Sequence, residues 1–141
     1  MKYKVSDLYI SLNKVKYVSL ETLIKDAINL MDIYNYSHIP VVDNGYLKGI
    51  ISEKNIINLI NKDLINKDKL VKDYLSYFVI KDNADETYLN VSRYEFASDV
   101  KIKMSELSTV NKKCNLAIVS ESGKENEKIL GIITNWDLLD L

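Results

Sequence analysis

Two seven-residue endings constrain this chain more than any other feature: Gly49-Ile50-Ile51-Ser52-Glu53-Lys54-Asn55 and Gly131-Ile132-Ile133-Thr134-Asn135-Trp136-Asp137. Each is an apolar strand end, then a hydroxyl residue, two further residues, and an Asp or Asn. A hydroxyl followed three positions later by a side-chain acceptor is the pattern of a helix start, where Ser52 or Thr134 caps free backbone N–H groups. The same N–H groups and the helix dipole attract anions. Either ending therefore reads as a helix cap or as a phosphate and ribose site. Their duplication within 141 residues points to an internal repeat.

The rest of the chain fits two copies of one unit. Val5-Ser6-Asp7-Leu8 opens one short segment and Val71-Lys72-Asp73-Tyr74 another. Tyr17 to Thr22 is extended and runs into an amphipathic helix, in which Leu23, Ile24, Ala27, Ile28, Leu30 and Met31 recur at spacings of three and four. In the second copy Val91, Val100 and Met104 match Val18, Ala27 and Met31 at a constant offset of 73. Ile39 to Val42, a short β-branched run, and Leu116 to Val119 are the first strands. Asp43-Asn44-Gly45 is a hairpin signal, whereas Ser120 to Asn126 is a longer, polar, mobile connection. Tyr46 to Ser52 and Ile129 to Thr134 are return strands, followed by closing helices from Glu53 to about Asn61 and from Asn135 to Leu141. The fold class expected is α/β (α+β), with two pseudo-symmetric β-α-β-β-α repeats at 1–62 and 63–141. A single unit of about 55 residues buries too little apolar surface to be secure alone. Packing the two sheet to sheet solves this and creates two related clefts.

Composition narrows the function. Arg93 is the only arginine and the formal net charge is −1, so a nucleic-acid role is disfavoured. The Lys/Asp alternation from Asn61 to Asp73 reads as a solvated connector, and Lys81 to Glu86 is too polar to be core. Cys114 and His38 are each alone, so neither a disulfide within the chain nor a metal or catalytic centre is expected. Without a signal core or a membrane-length apolar run, a soluble cytoplasmic protein is expected. The ten tyrosines suit amphipathic packing or interface surface, and Trp136 suits packing on its own module.

The order of elements and the two endings resemble the cystathionine β-synthase (CBS) domain family, as a tandem pair often called a Bateman module. VSLETLIKDAINLM and HIPVVDNGYLKGIISEKN carry the likeness in the first copy, and GIITNWD carries it in the second. Ala117 stands where the family has the proline matched by Pro40. The resemblance implies a regulatory module rather than an enzyme. It would sense an adenosine-containing ligand (AMP, ADP, ATP or S-adenosylmethionine) in the cleft between repeats, require no cofactor, and signal to a partner protein. It implies Asp137 and Thr134 as ribose and phosphate contacts, with Asn90, Val91, Leu116 and Ala117 lining the base pocket. In the first copy Asn55 replaces the Asp. Ser52 remains there, Lys54 supplies a phosphate charge, and Tyr17, Val18, Ile39 and Pro40 line the pocket. The resemblance further implies homodimers through the helices, with Thr22–Tyr34 and Phe96–Leu107 as candidate faces. A structural or dimerisation module with vestigial pockets is the alternative.

Overall fold

The computed structural model describes residues 2–78, 86–110 and 112–139. In chain order the elements are α1 (Val5–Leu8), β1 (Ile10–Ser11), α2 (Ile24–Tyr34), β2 (His38–Asp43), β3 (Tyr46–Ser52), α3 (Glu53–Asn61), β4 (Glu86–Ser92), α4 (Ala97–Leu107), β5 (Lys113–Ser120) and β6 (Gly131–Thr134). Three 3-10 turns join them, at Leu12–Lys14, Val71–Tyr77 and Trp136–Leu138. The expected mixed α/β class is observed.

The chain forms two compact units, one of residues 16–80 and one combining 1–15 with 81–141. Packing therefore divides the chain differently from the sequence repeat at 62/63. The cause is a reciprocal exchange of leading segments. Val5 and Ser6 donate their N–H groups to the carbonyls of Glu95 (2.8 Å) and Arg93 (2.9 Å), and Ala97 donates to Tyr3 (2.8 Å). The counterparts in the other unit are Val71 to Thr22 (2.8 Å), Lys72 to Leu20 (3.0 Å) and Ile24 to Lys69 (2.9 Å). Each copy's leader thus docks on the other copy's strand-to-helix turn. Val5 and Val71 are both fully buried there. The stretch Asn61–Asp73 is accordingly not a free connector: Lys25 N–H also donates to the Lys67 carbonyl, and Tyr74 Oη accepts from Asn66 N–H at 2.8 Å.

In the 16–80 unit, β2 and β3 form an antiparallel hairpin closed by Asn44 and Gly45, both at positive φ as a tight primed turn needs. Val18 adds a parallel bridge to Val41. Helix α2 ends at Asn35 in the left-handed conformation. The core joins Val18, Ile24, Met31, Ile39, Val41, Ile51, Val71 and Phe78. In the other unit the sheet order is β1-β6-β5-β4, with β4 and β5 parallel across α4 and the remaining pairs antiparallel. Val5, Val91, Val100, Met104, Ala117, Val119 and Ile133 are in its core.

Two expectations need correction. The second closing helix, expected over Asn135–Leu141, is a single 3-10 turn among the described residues, held by i to i+3 bonds such as Leu138 N–H to the Asn135 carbonyl. Nucleating a helical turn orders several residues for one hydrogen bond, and so short a run offers few further bonds to offset it. The connection after Ser120 is organised rather than loose. Glu127 Oε1 accepts from Ser120 Oγ (3.1 Å), Ser122 N–H (3.0 Å) and Lys124 N–H (3.0 Å). These donors stabilise the anion and lower the Glu127 pKa to about 2. Most of Lys81 to Glu86 lies outside the described residues.

Candidate ligand-binding sites

Strand pairing fixes how the two copies correspond. His38 pairs with Ser52, Ile39 with Ile51 and Pro40 with Ile50. Leu116 pairs with Thr134, Ala117 with Ile133 and Ile118 with Ile132. With Ser52 matched to Thr134, Ile39 corresponds to Ala117 and Pro40 to Ile118. The expected match of Pro40 with Ala117 is therefore off by one residue. In a strand one step exchanges the two faces, and Ala117 accordingly lies in the core beside Val119 and Ile133.

The same alternation sorts the other candidates. Val18 and Ile39 belong to the core of the 16–80 unit, and Val91 and Ala117 to that of the other. Their side chains are spent on packing, which leaves the backbone for any ligand. Tyr17, Pro40 and Ser52 face away from the first core, as Asn90, Leu116, Ile118 and Thr134 face away from the second. Sequence reasoning missed Ile118, because an offset of 77 instead of 78 fits the apolar pattern equally well. Only strand register separates the two.

The two endings share one geometry. Ser52 N–H and Oγ–H donate to Asn55 Oδ1 at 3.3 and 2.8 Å, and Asn55 N–H donates back to Ser52 Oγ at 3.1 Å. Thr134 N–H and Oγ1–H donate to Asp137 Oδ2 at 2.8 and 3.0 Å, with Asp137 N–H returning to Thr134 Oγ1 at 3.4 Å. The first is a capping box at the start of α3, so the cap reading holds for Ser52; the second repeats these bonds ahead of a 3-10 turn whose cap position is Asn135, not Thr134. These bonds occupy only one arm of the third side chain. Asp137 Oδ1 accepts no hydrogen bond from a described residue, and Asn55 Nδ2 donates none to one. Ser52 itself is sealed, at 1% exposure, whereas Thr134 is half-buried. Lys54 and Trp136 occupy matched positions and both are exposed, Trp136 at 76%.

Asn90 stands on β4 opposite Ile118, and its Nδ2 is buried without a hydrogen-bond partner. Such an orphan costs about 1–3 kcal/mol. Thr134 lies on the same face, two strands away and two residues along, about 12 Å from backbone to backbone by standard strand spacings. That span suits a nucleoside gripped at its base and its sugar. In the 16–80 unit, α2 and α3 enclose a groove of about 360 Å³ lined by Ile28, Met31, Ile56 and Ile57, with Asp32, Asn35 and Glu53 at its polar margin. Ile33, Ile57 and Ile60 are more than half exposed. On α4 the exposed Ile102 sits between Lys101 and Lys103 instead. Cys114 is buried, which pushes its thiol pKa up and leaves it unreactive. Among the described residues no group of three or more His, Cys, Asp or Glu suits a metal ion, and no helix is long and apolar enough to cross a membrane.

The CBS domain family model matches residues 5–62. A search of curated proteins finds no match to the chain. Among solved structures, CBSX2 in complex with AMP is 21% identical, with a TM-score of 0.72 over 98% of this chain and 94% of that one. The CBS domain of the bacterial CNNM/CorC family Mg2+ transporter in complex with ATP is 18% identical, with a TM-score of 0.70 over 97% and 84%. A putative acetoin utilization protein (AcuB) from Vibrio cholerae is 18% identical, with a TM-score of 0.72 over 99% and 90%. Residues 5–62 are a CBS domain, and the chain as a whole has the fold of a CBS-domain pair.

Proposed function

We propose that this chain is a regulatory module, not an enzyme, that binds an adenosine-type nucleotide and passes the resulting change of state to a partner protein. The observation that carries this reading is the Asp137 carboxylate, anchored through Oδ2 with Oδ1 left open. A carboxylate oxygen accepts from two vicinal hydroxyls in charge-assisted bonds, which is how a ribose is held. The unpartnered Asn90 amide on the same face supplies a donor for a base. Relatives of the same fold in complex with AMP and with ATP support the ligand class. Regulation requires that the ligand prefer one of two arrangements of the module, and the partner must read that preference.

The test is a thermal-shift panel of AMP, ADP, ATP and S-adenosylmethionine on wild type and Asp137→Ala. A ligand at 100 times its Kd stabilises the fold by about 2.7 kcal/mol. The variant also loses the bonds from Thr134 to Asp137 Oδ2, about 0.5–1.5 kcal/mol each, so the ligand-induced shift is the quantity compared. An equal shift in both proteins removes Asp137 from the site.

A second reading, a dimerisation module with vestigial pockets, is favoured by the apolar groove between α2 and α3 with its exposed isoleucines. Sedimentation separates the readings: a dimer that ignores every nucleotide supports the second. The two are compatible if pairing through this face transmits the nucleotide signal.

A further inference from the structure

One rule reads both leaders. Val5-Ser6-Asp7 and Val71-Lys72-Asp73 share Val-x-Asp, and the turns that receive them, Arg93–Ala97 and Leu20–Ile24, lie at the repeat offset of 73. Three backbone bonds recur one for one. Val5 and Val71 N–H donate to the Glu95 and Thr22 carbonyls, Ser6 and Lys72 to Arg93 and Leu20, while Ala97 and Ile24 N–H return to Tyr3 and Lys69. The antiparallel bridges Lys4–Phe96 and Leu70–Leu23 complete the match. In each leader the Asp folds the segment on itself: Asp7 Oδ2 accepts from Lys4 N–H and Asp73 Oδ2 from Leu70 N–H, both at 2.9 Å. Each then seats one valine, fully buried. Nothing in this recognition depends on which chain carries the segment.

The leaders differ in how they are tethered. Residues 67–77 belong to the same continuous unit, 16–80, as the turn on which they dock. Residues 1–15 dock on the 81–141 part of the chain but run directly into the other unit. The stretch that joins them to it is exposed at Asn13, Lys14, Lys16 and Tyr17. A segment that leaves one compact unit to dock in another can dock equally on a second copy, because the contacts are the same and only the tether differs. We propose that copies of this chain pair by leader exchange, with residues 1–15 of one docked on the 93–97 turn and the β6 edge of another. The inference is independent of nucleotide binding. It gives the dimer of the second reading a route that needs no groove between α2 and α3.

Lys4 and Phe96 face each other without exchanging bonds, and both are exposed. Such a pair sets its Cα atoms about 4.5 Å apart, within reach of a disulfide. A Lys4→Cys chain and a Phe96→Cys chain are refolded together from urea at a series of concentrations. They are oxidised only after folding, when Cys114 is buried. A 4–96 disulfide between the two chains then forms only if one copy's leader lies on the other. The expected result is a covalent heterodimer whose yield rises with protein concentration. Adding Val5→Asp to the Lys4→Cys chain should cut that yield about 10-fold or more, since it places a charge in a sealed apolar seat. The double variant Lys4→Cys/Phe96→Cys, refolded alone, should give covalent dimers beside covalent monomers. Covalent monomers alone at every concentration, with no heterodimer in the mixture, overturn the inference. So does a heterodimer that ignores Val5→Asp, which marks chance thiol contact. A dimer seen by sedimentation that never carries the 4–96 link also overturns it, and assigns pairing to another face. None of these outcomes bears on the nucleotide panel above.

Discussion

Gly131→Ala gives the sharpest test of how the fold is assembled. A Cβ at this position would lie 2.1 Å from the Ile10 carbonyl oxygen and 2.6 Å from Tyr9 Cδ2. Ordinary contact begins near 3.4 Å, so the β1 backbone would have to retreat by more than 1 Å. The obstacle is backbone, which cannot rotate away as a side-chain tip does. Retreat breaks the Ile10–Ile132 and Ser11–Gly131 pairing and stretches the bond from Leu12 N–H to the Leu130 carbonyl, now 2.9 Å. Losing two or three such bonds costs about 0.5–1.5 kcal/mol each, partly offset by about 0.4–1 kcal/mol from the smaller unfolded-state entropy of alanine. The expected net loss is about 1–3 kcal/mol, or a fall in Tm of roughly 3–10 °C for a chain of this size. Urea unfolding measures the total, and hydrogen exchange locates it. The Leu12 amide should lose protection while the amides of α2 keep theirs. A stability loss below about 0.5 kcal/mol with Leu12 still protected would refute the reasoning.

Further outcomes follow from other sites. Val5→Ala should raise exchange in α4 and leave α2 unchanged, and Val71→Ala should do the reverse. Each should cost about 1–3 kcal/mol, as truncations of sealed apolar side chains do. Glu127 has a folded pKa of about 2, below the unfolded carboxyl near 4.3. Its contribution is therefore fully present above pH 4.3 and fades as pH falls towards 2. The Ser122 and Lys124 amides should lose protection over that interval, and Glu127→Gln should loosen them already at neutral pH. Trp136, the single tryptophan, is 76% exposed beside Asp137, so AMP should shift its emission in wild type and not in Asp137→Ala.

Much of the architecture can be read from residue patterns, because local rules and the fold agree. The spacing of Ile24, Ala27 and Met31 marks the buried face of α2. Asn44-Gly45 marks the hairpin, and Ser52-x-x-Asn55 marks a helix start at the observed residue. Non-local features escape such reading. Val5 and Val71 look alike in sequence, but which copy each seals depends on where the chain returns many residues later. Register in β5 is equally hidden, since Leu116, Ala117, Ile118 and Val119 are all apolar, and pairing with β6 decides which of them enter the core. The Glu127 clasp has only a weak local trace, since Glu121 and Glu125 stand in the same polar stretch and nothing local marks which glutamate closes the loop. At the candidate sites, residue identity marked Asp137 and Asn55, while the arm each presents depends on the hydrogen bonds that hold the other.

The exchanged leaders also dictate an order of assembly during synthesis. Residues 16–80 form one continuous stretch and can close as soon as they leave the ribosome. Residues 1–15, made before that stretch, must wait until residues 93–97 emerge to receive Val5 and β6 to pair with β1. At about 5–20 residues per second, translating that interval takes roughly 6–25 s. An early-made segment is thus among the last to find its place, and that waiting period is when a chaperone or a neighbouring nascent copy has its best opportunity to capture it.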